Sequence, residues 1–273
     1  MIVKTLLENT SVSPDFGCEH GLSLHIETKK RRILFDAGAT SLFAENAKRM
    51  GIDLAQVDLA VLSHGHSDHG GGLGVFLSTN ATAKVYCSRY AFGDYYSQRP
   101  SEEVYAGIDK SLLTSGRFVF AEDLCTPLEG VEFFYGIQGR KFFPSGNKTL
   151  LKKNRESLEP DDFIHELNMM VEEDGKTLFV AGCSHCGIVN ALEHFRDKKG
   201  FMPTHVIAGF HLTSPSTGES ETPEVLDQIA DFLLKSGAKF YTGHCTGAGC
   251  YDRLKAVLGE RLELISTGGR ITI

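Results

Sequence analysis

No stretch of 18 apolar residues, no low-complexity tract and no long run of like charge occurs in this chain. The first absence argues against a membrane-spanning helix, which needs about 20 consecutive apolar residues. The other two argue against a disordered tail or a flexible linker. A basic excess is missing too: 28 Lys and Arg stand against 35 Asp and Glu, a formal charge of −7. Nucleic-acid binding driven by charge wants a basic surface, so that partner class is disfavoured. The two local basic groups, Lys29–Arg32 and Lys152, Lys153 and Arg155, read as solvated turns or strand ends. The opening Met1-Ile-Val-Lys-Thr-Leu-Leu-Glu has no secretory pattern and is soon broken by Asn9. Seven cysteines, an odd number, then predict reduced thiols and a cytoplasmic setting.

What is present is ordinary globular material. Apolar residues make up 41% of the 273 positions, enough to bury a sizeable core. The pattern predicts strands at 1–7, 22–27, 32–35, 57–62 and 83–87, with a helix over 41–50 stopped by Gly51. The last third alternates again. Strands are predicted at 176–181, 205–208, 240–242 and 270–273, with helices over 188–197, 223–236 and 251–258. Thr222 and Pro223 mark the start of the second of these helices. We expect a single domain over 1–273, with an aromatic-rich insertion somewhere within 88–165 that lies over a site. Phe118–Phe120 and Val131–Tyr135 inside that stretch read as strands.

The chemistry concentrates in Ser63-His-Gly-His-Ser-Asp-His-Gly-Gly71. His64, His66, Asp68 and His69 follow a buried strand and precede a glycine-rich turn. In an extended segment His64 and His66 point the same way, and Asp68 and His69 then come from the turn. Imidazole and carboxylate are the usual donors to zinc and its neighbours. Asp36, at the end of the 32–35 strand, is placed either to orient a ligand histidine or to cap a turn.

His64-Gly-His-Ser-Asp-His69 resembles the H-x-H-x-D-H signature of the metallo-β-lactamase superfamily. Leu34-Phe-Asp-Ala-Gly38 and Gly175–Gly182 resemble two of that family's strand–turn segments, so the likeness extends over most of the chain. It implies an α/β fold, a four-layer αββα sandwich with a metal site at one edge between the sheets. Four further motifs resemble one branch, named after a dihydropterin-linked ribofuranosylaminobenzene 5′-phosphate synthase. They are Glu19–Ser23, Gly182–Asn190, Gly209–Leu212 and Gly243–Gly247.

The resemblance implies a zinc-type centre of one or two ions, with manganese or iron as alternatives. His64, His66, Asp68, His69, Cys183, His185 and His244 are the expected ligands. Cys183 stands where the family usually has an aspartate, which brings a soft donor into the set. Small buried hydrophobe is the competing reading of this cysteine. For His211 three roles stay open, ligand, acid–base group or hydrogen-bond donor to substrate, and Asp68 is expected to handle a proton as well as metal. His20 is a candidate for lining the site, and Asp162 and His165 for a further ligand. His25, His194 and His205 are expected to be structural or exposed. Pairing of Cys183-x-x-Cys186 with Cys245 and Cys250, as a structural zinc or redox site, is a competing reading.

The expected activity is hydrolysis of a small ester-type substrate, phosphoryl, acyl or lactone, by a metal-activated water. A phosphorylated substrate fits, a membrane partner does not, and the oligomeric state is left open. The branch name implies a transferase alternative, joining an aromatic amine fragment to a phosphorylated sugar with loss of pyrophosphate and CO₂. A non-catalytic metal-dependent sensor is the alternative from another class.

Overall fold

The structure is a computed structural model and describes residues 1–123 and 129–273. The chain divides into two compact units. The first comprises Met1–Gly93, Ala106–Pro127 and Ile265–Ile273; the second comprises Asp94–Tyr105 and Leu128–Leu264.

The first unit is built on a seven-stranded sheet. Its order is Arg270–Thr272, Ile2–Leu7, Ser23–Glu27, Arg32–Phe35, Leu59–Val61, Lys84–Cys87 and Phe118–Phe120. The first three pairings are antiparallel. From Arg32–Phe35 onward the strands run parallel. Parallel neighbours need crossovers, which the helices Leu42–Arg49 and Leu73–Thr79 supply. Helix Leu42–Arg49 buries Phe43, Asn46 and Ala47. Phe43 and Ala47 join Leu6, Leu34, Leu62 and Phe76 in one apolar core. Asn46 is polar in that setting, and its amide is used up on the carbonyls of Leu6 and Gly17, both at 2.8 Å.

A six-stranded sheet forms the second unit's main layer. Its order is Leu262–Leu264, Lys239–Thr242, His205–Ile207, Lys176–Val180, Leu167–Glu173 and Val131–Tyr135. The first four strands are parallel and the last two pair antiparallel. Helix Pro223–Ser236 shows how directly sequence sets these crossovers. Thr222 Oγ1 accepts from the Val225 N–H, Pro223 opens the helix, and Gly237 closes it at φ 77°. Leu226, Ile229, Ala230 and Leu233 recur at helical spacing and are its buried face.

The strands Phe118–Phe120 and Val131–Tyr135, read from the aromatic stretch, are edge strands of the two large sheets. Within that stretch a small antiparallel sheet of the second unit is separate: Ser157–Pro160, Leu150–Asn154, Tyr95–Gln98 and Glu103–Tyr105. No helix among the described residues is long and apolar enough to cross a membrane.

In both units the parallel strands end at the residues singled out above. Asp36 follows Arg32–Phe35, and His64 follows Leu59–Val61. Cys183 follows Lys176–Val180, His211 follows His205–Ile207, and His244 follows Lys239–Thr242. The carboxyl ends of parallel strands are where α/β sheets place their ligand-binding loops.

Candidate metal centre

In the first unit a buried carboxylate organises the histidines. Asp36 sits just past its strand at φ 59°, a left-handed conformation that non-glycine residues adopt rarely. Its Oδ1 accepts from the Ser63 N–H at 2.7 Å, and its Oδ2 accepts from Ser63 Oγ at 2.7 Å. His69 Nδ1 lies 2.6 Å from the same Oδ2. Because Ser63 Oγ donates to Asp36, the 2.8 Å contact with His64 Nδ1 makes that nitrogen the donor. Both rings are thereby assigned to the tautomer that carries its lone pair on Nε2, the state in which imidazole binds a metal.

The sequence puts Asp68 and His69 in a turn; the structure makes that turn a short helix, Ser67–Gly70. Its glycines let it lie against the backbone, for a side chain at Gly71 or Gly72 would collide with the carbonyls of Ala39 or Ala37. His69 Nε2 then lies 3.5 Å from Asp68 Oδ2, and the His20 Nε2 lies 3.3 Å from that same oxygen. The His64 ring is 4.7 Å from that of His66 and 4.2 Å from that of His69, centroid to centroid. The structure therefore brings His64, His66, Asp68 and His69 together, with Asp36 behind them and half-exposed His20 beside Asp68.

A different set of devices holds the second unit's residues. Strand Lys176–Val180 runs into Gly182-Cys-Ser-His-Cys-Gly187, with Ser184 at φ 51°. Glu166, itself buried, accepts from the N–H groups of His185 at 2.7 Å and Cys186 at 3.0 Å. Burial pushes the Glu166 carboxyl above the usual range, against the pull of those donors and of Cys186 and His165. Asn147 Nδ2 donates to the His185 carbonyl at 2.8 Å. That fixes its Oδ1 toward His185 Nδ1, 3.0 Å away, so this ring too is assigned its lone pair on Nε2. Phe163 stacks on the His185 ring at 4.6 Å and 7°.

His211 and His244 sit at φ 48° and 53°, in loops pinned by threonines. Thr242 Oγ1 donates to the Ala208 carbonyl at 2.7 Å, and the Phe210 N–H donates to Thr246 Oγ1 at 3.0 Å. The His211 ring lies 4.2 Å from that of His185. Cys183, His211 and Cys245 are all buried, and their donor atoms lie within 4.8 Å of one another. Burial disfavours the Cys245 thiolate, but interactions with Cys183 and His211 and the charges of His244 and His211 outweigh it. The thiol is held well below its usual range.

Other candidates are distributed differently. His165 is buried and pairs with Asp161 at 3.0 Å, a residue the sequence reading passed over. Asp162 is turned outward to Lys152 at 2.8 Å. His25 lies buried in the first sheet, and His194 and His205 are only partly buried. Cys186 approaches the Phe163 carbonyl and Cys250 the Leu212 carbonyl, so the two cysteines that converge are Cys183 and Cys245. The six described cysteines form no disulfide with one another; Cys125 lies outside the described residues. Ser63, Asn147 and Glu166 were missed. Ser63 and Glu166 each adjoin a flagged histidine, a signal that could have found them, whereas nothing near Asn147 marks it.

Comparison with known proteins agrees with the motif. A family model described as the metallo-beta-lactamase superfamily matches residues 17–193. The chain is 26% identical to 7,8-dihydropterin-6-methyl-4-(beta-D-ribofuranosyl)-aminobenzene-5'-phosphate synthase of Methanocaldococcus jannaschii, over 97% of this chain and 94% of that protein. In fold it is similar to Tm1679, a crystal structure described as a metal-dependent hydrolase of the beta-lactamase superfamily. That match has a TM-score of 0.83 at 23% identity and covers 100% and 99% of the two chains. Zinc-bound PqqB from Methylobacterium extorquens is similar at a TM-score of 0.56 and 11% identity, covering all of both chains.

Proposed function

The chain belongs to the metallo-β-lactamase superfamily, and from that premise we propose that it is a metal-dependent hydrolase of small ester-type substrates. The observation that carries this reading is the pair His69 Nε2 and Asp68 Oδ2, 3.5 Å apart. With His69 Nδ1 committed to Asp36, Nε2 and Oδ2 present two lone pairs that a bound cation would satisfy together. The residues fit a metal. His64, His66, Asp68 and His69 would hold it in the first unit, and Cys183, His185 and His244 are the donors expected of the second. Imidazole with thiolate suits zinc or iron better than manganese. A similar fold described as zinc-bound, and another described as a metal-dependent hydrolase, support the same reading.

When bound, such a metal polarises a phosphoryl or carbonyl oxygen and makes water a nucleophile near neutral pH. The protein's own groups do the rest. Asp68 is placed to orient that water and to take its proton on Oδ2, while Asp36 and Ser63 keep His69 and His64 from turning. His20, half-exposed beside Asp68, is placed to donate to charge developing on the substrate. Of the roles left open for His211, its thiol neighbours favour that of ligand.

His66→Ala should lower both bound metal and turnover on a panel of phosphodiesters, thioesters and lactones. Unchanged metal content would overturn the reading. Wild-type protein that retains metal yet turns over nothing would instead be a non-catalytic metal-binding protein. The 26% identical synthase supports a second reading, transfer to a phosphorylated sugar. Release of pyrophosphate from a phosphoribosyl donor with an aminobenzoate, in the same assay series, separates it from hydrolysis.

A further inference from the structure

Three parallel strands of the second unit end in one place. Lys176–Val180 leads to Cys183, His205–Ile207 to His211, and Lys239–Thr242 to Cys245. The two sulfurs and one ring nitrogen lie within 4.8 Å of one another. His211 is 3% exposed, and neither of its ring nitrogens has a hydrogen-bond partner among the described residues. An imidazole left so in a core is destabilising unless something completes it. The approach of the chains is built in. A Cβ at Gly209 would sit 2.6 Å from Cys245 Sγ and 3.4 Å from Cys183 Cα, so only glycine leaves room for the sulfur there. The His211 N–H, 3.3 Å from Cys245 Sγ, donates to it, which favours a thiolate.

We propose that Cys183, His211 and Cys245 form a thiolate-rich ligand set for a borderline-soft cation of the zinc class, with Cys245 a ligand in its own right. The inference deepens the metal-dependent reading above and rests on it. Two sulfurs and one imidazole leave a fourth tetrahedral position open and select zinc, cobalt or cadmium over manganese or magnesium. This centre is then set apart from one of nitrogen and oxygen donors alone.

The test uses the full chain loaded with zinc for X-ray absorption, and with cobalt(II) for the thiolate-to-metal charge-transfer band. Wild type should show two metal–sulfur bonds per chain, at about 2.3 Å for zinc. Cys245→Ser should remove one of them and roughly halve the cobalt band. Gly209→Ala, which keeps every thiol but displaces Cys245 Sγ, should weaken the band in the same direction. Fewer than two metal–sulfur bonds in wild type overturns the proposal without recourse to any variant. So does an unchanged sulfur count and band in Cys245→Ser. If His66→Ala loses metal and turnover while Cys245→Ser changes nothing, the hydrolase reading stands and this one fails. A halved band in a protein inert toward every substrate gives the reverse.

Discussion

The four candidate metal donors of the first unit come from six successive positions, 64–69, whereas the candidates Cys183, His211 and Cys245 of the second come from three separate strand ends. The first set is imidazole and carboxylate, steered by one buried carboxylate, Asp36. The second includes sulfur and is steered piecemeal: an amide at His185, a carboxylate under its turn, threonines beneath His211 and Cys245, and a missing side chain at Gly209. The difference teaches where geometry is stored. A contiguous cluster stores it in local backbone plus one hub. A discontinuous cluster stores it in sheet register, spread over many small contributions.

Removing the hub should therefore do the most harm. Asp36→Ala strips three buried donors, the Ser63 N–H, Ser63 Oγ and His69 Nδ1, of their common acceptor. We expect a loss of about 3–5 kcal/mol in urea unfolding, with metal affinity down some 10–100-fold. A loss below about 1 kcal/mol would break the contrast, for it would show that the 64–69 backbone holds its rings without the hub.

The same difference explains what could be read in the sequence. His64-Gly-His-Ser-Asp-His69 was legible because its spacing is its geometry, and the helix at 223–236 because its cap, proline and buried face are all local. His211 and His244 could be found because each follows a short apolar strand, and Cys183 because it stands where the family resemblance expects an aspartate ligand. What could not be read is their mutual placement. That Cys245 rather than Cys186 converges with Cys183 depends on parallel register between Lys176–Val180, His205–Ile207 and Lys239–Thr242. Asp161 rather than Asp162 faces His165 because the chain turns between them, one side chain inward and one toward Lys152. Asn147 reaches His185 from a short 3-10 turn, Ser145–Thr149, with no motif of its own.

A second buried histidine of the first unit sharpens the role of the hub. His25 has its nearest carboxylate, Glu27, at 3.5 Å rather than the 2.6 Å between His69 and Asp36. Burial dominates, Lys4 and Arg32 add to it, Glu27 opposes, and the His25 pKa falls from 6.5 to about 4. The unfolded chain therefore takes up the proton first as pH drops. The His25 contribution to stability is whole above pH 6.5, declines between 6.5 and about 4, and is gone below. At about 1.4 kcal/mol per pH unit the decline reaches roughly 3 kcal/mol. Comparing urea midpoints of wild type and His25→Gln at pH 7 and pH 5 isolates it. The variant should lose less stability than wild type on acidification; an equal loss would mean that His25 protonates in the folded protein.

Asn147 offers the gentlest test. Its amide makes two bonds to His185, one to the carbonyl and one to the ring, and neither partner is charged. Asn147→Ala should cost about 1–2 kcal/mol of stability and about tenfold in metal affinity, well short of the Asp36→Ala effect. Asn147→Asp keeps an acceptor for Nδ1 but loses the donor to the carbonyl. It should recover metal affinity more fully than stability if the amide works by fixing the ring tautomer. Equal metal affinities for the two variants would show that Asn147 acts only on the backbone. An Asn147→Ala loss as large as that of Asp36→Ala would mean the second unit has a hub after all, and the contrast between a centrally held and a piecemeal cluster would fall.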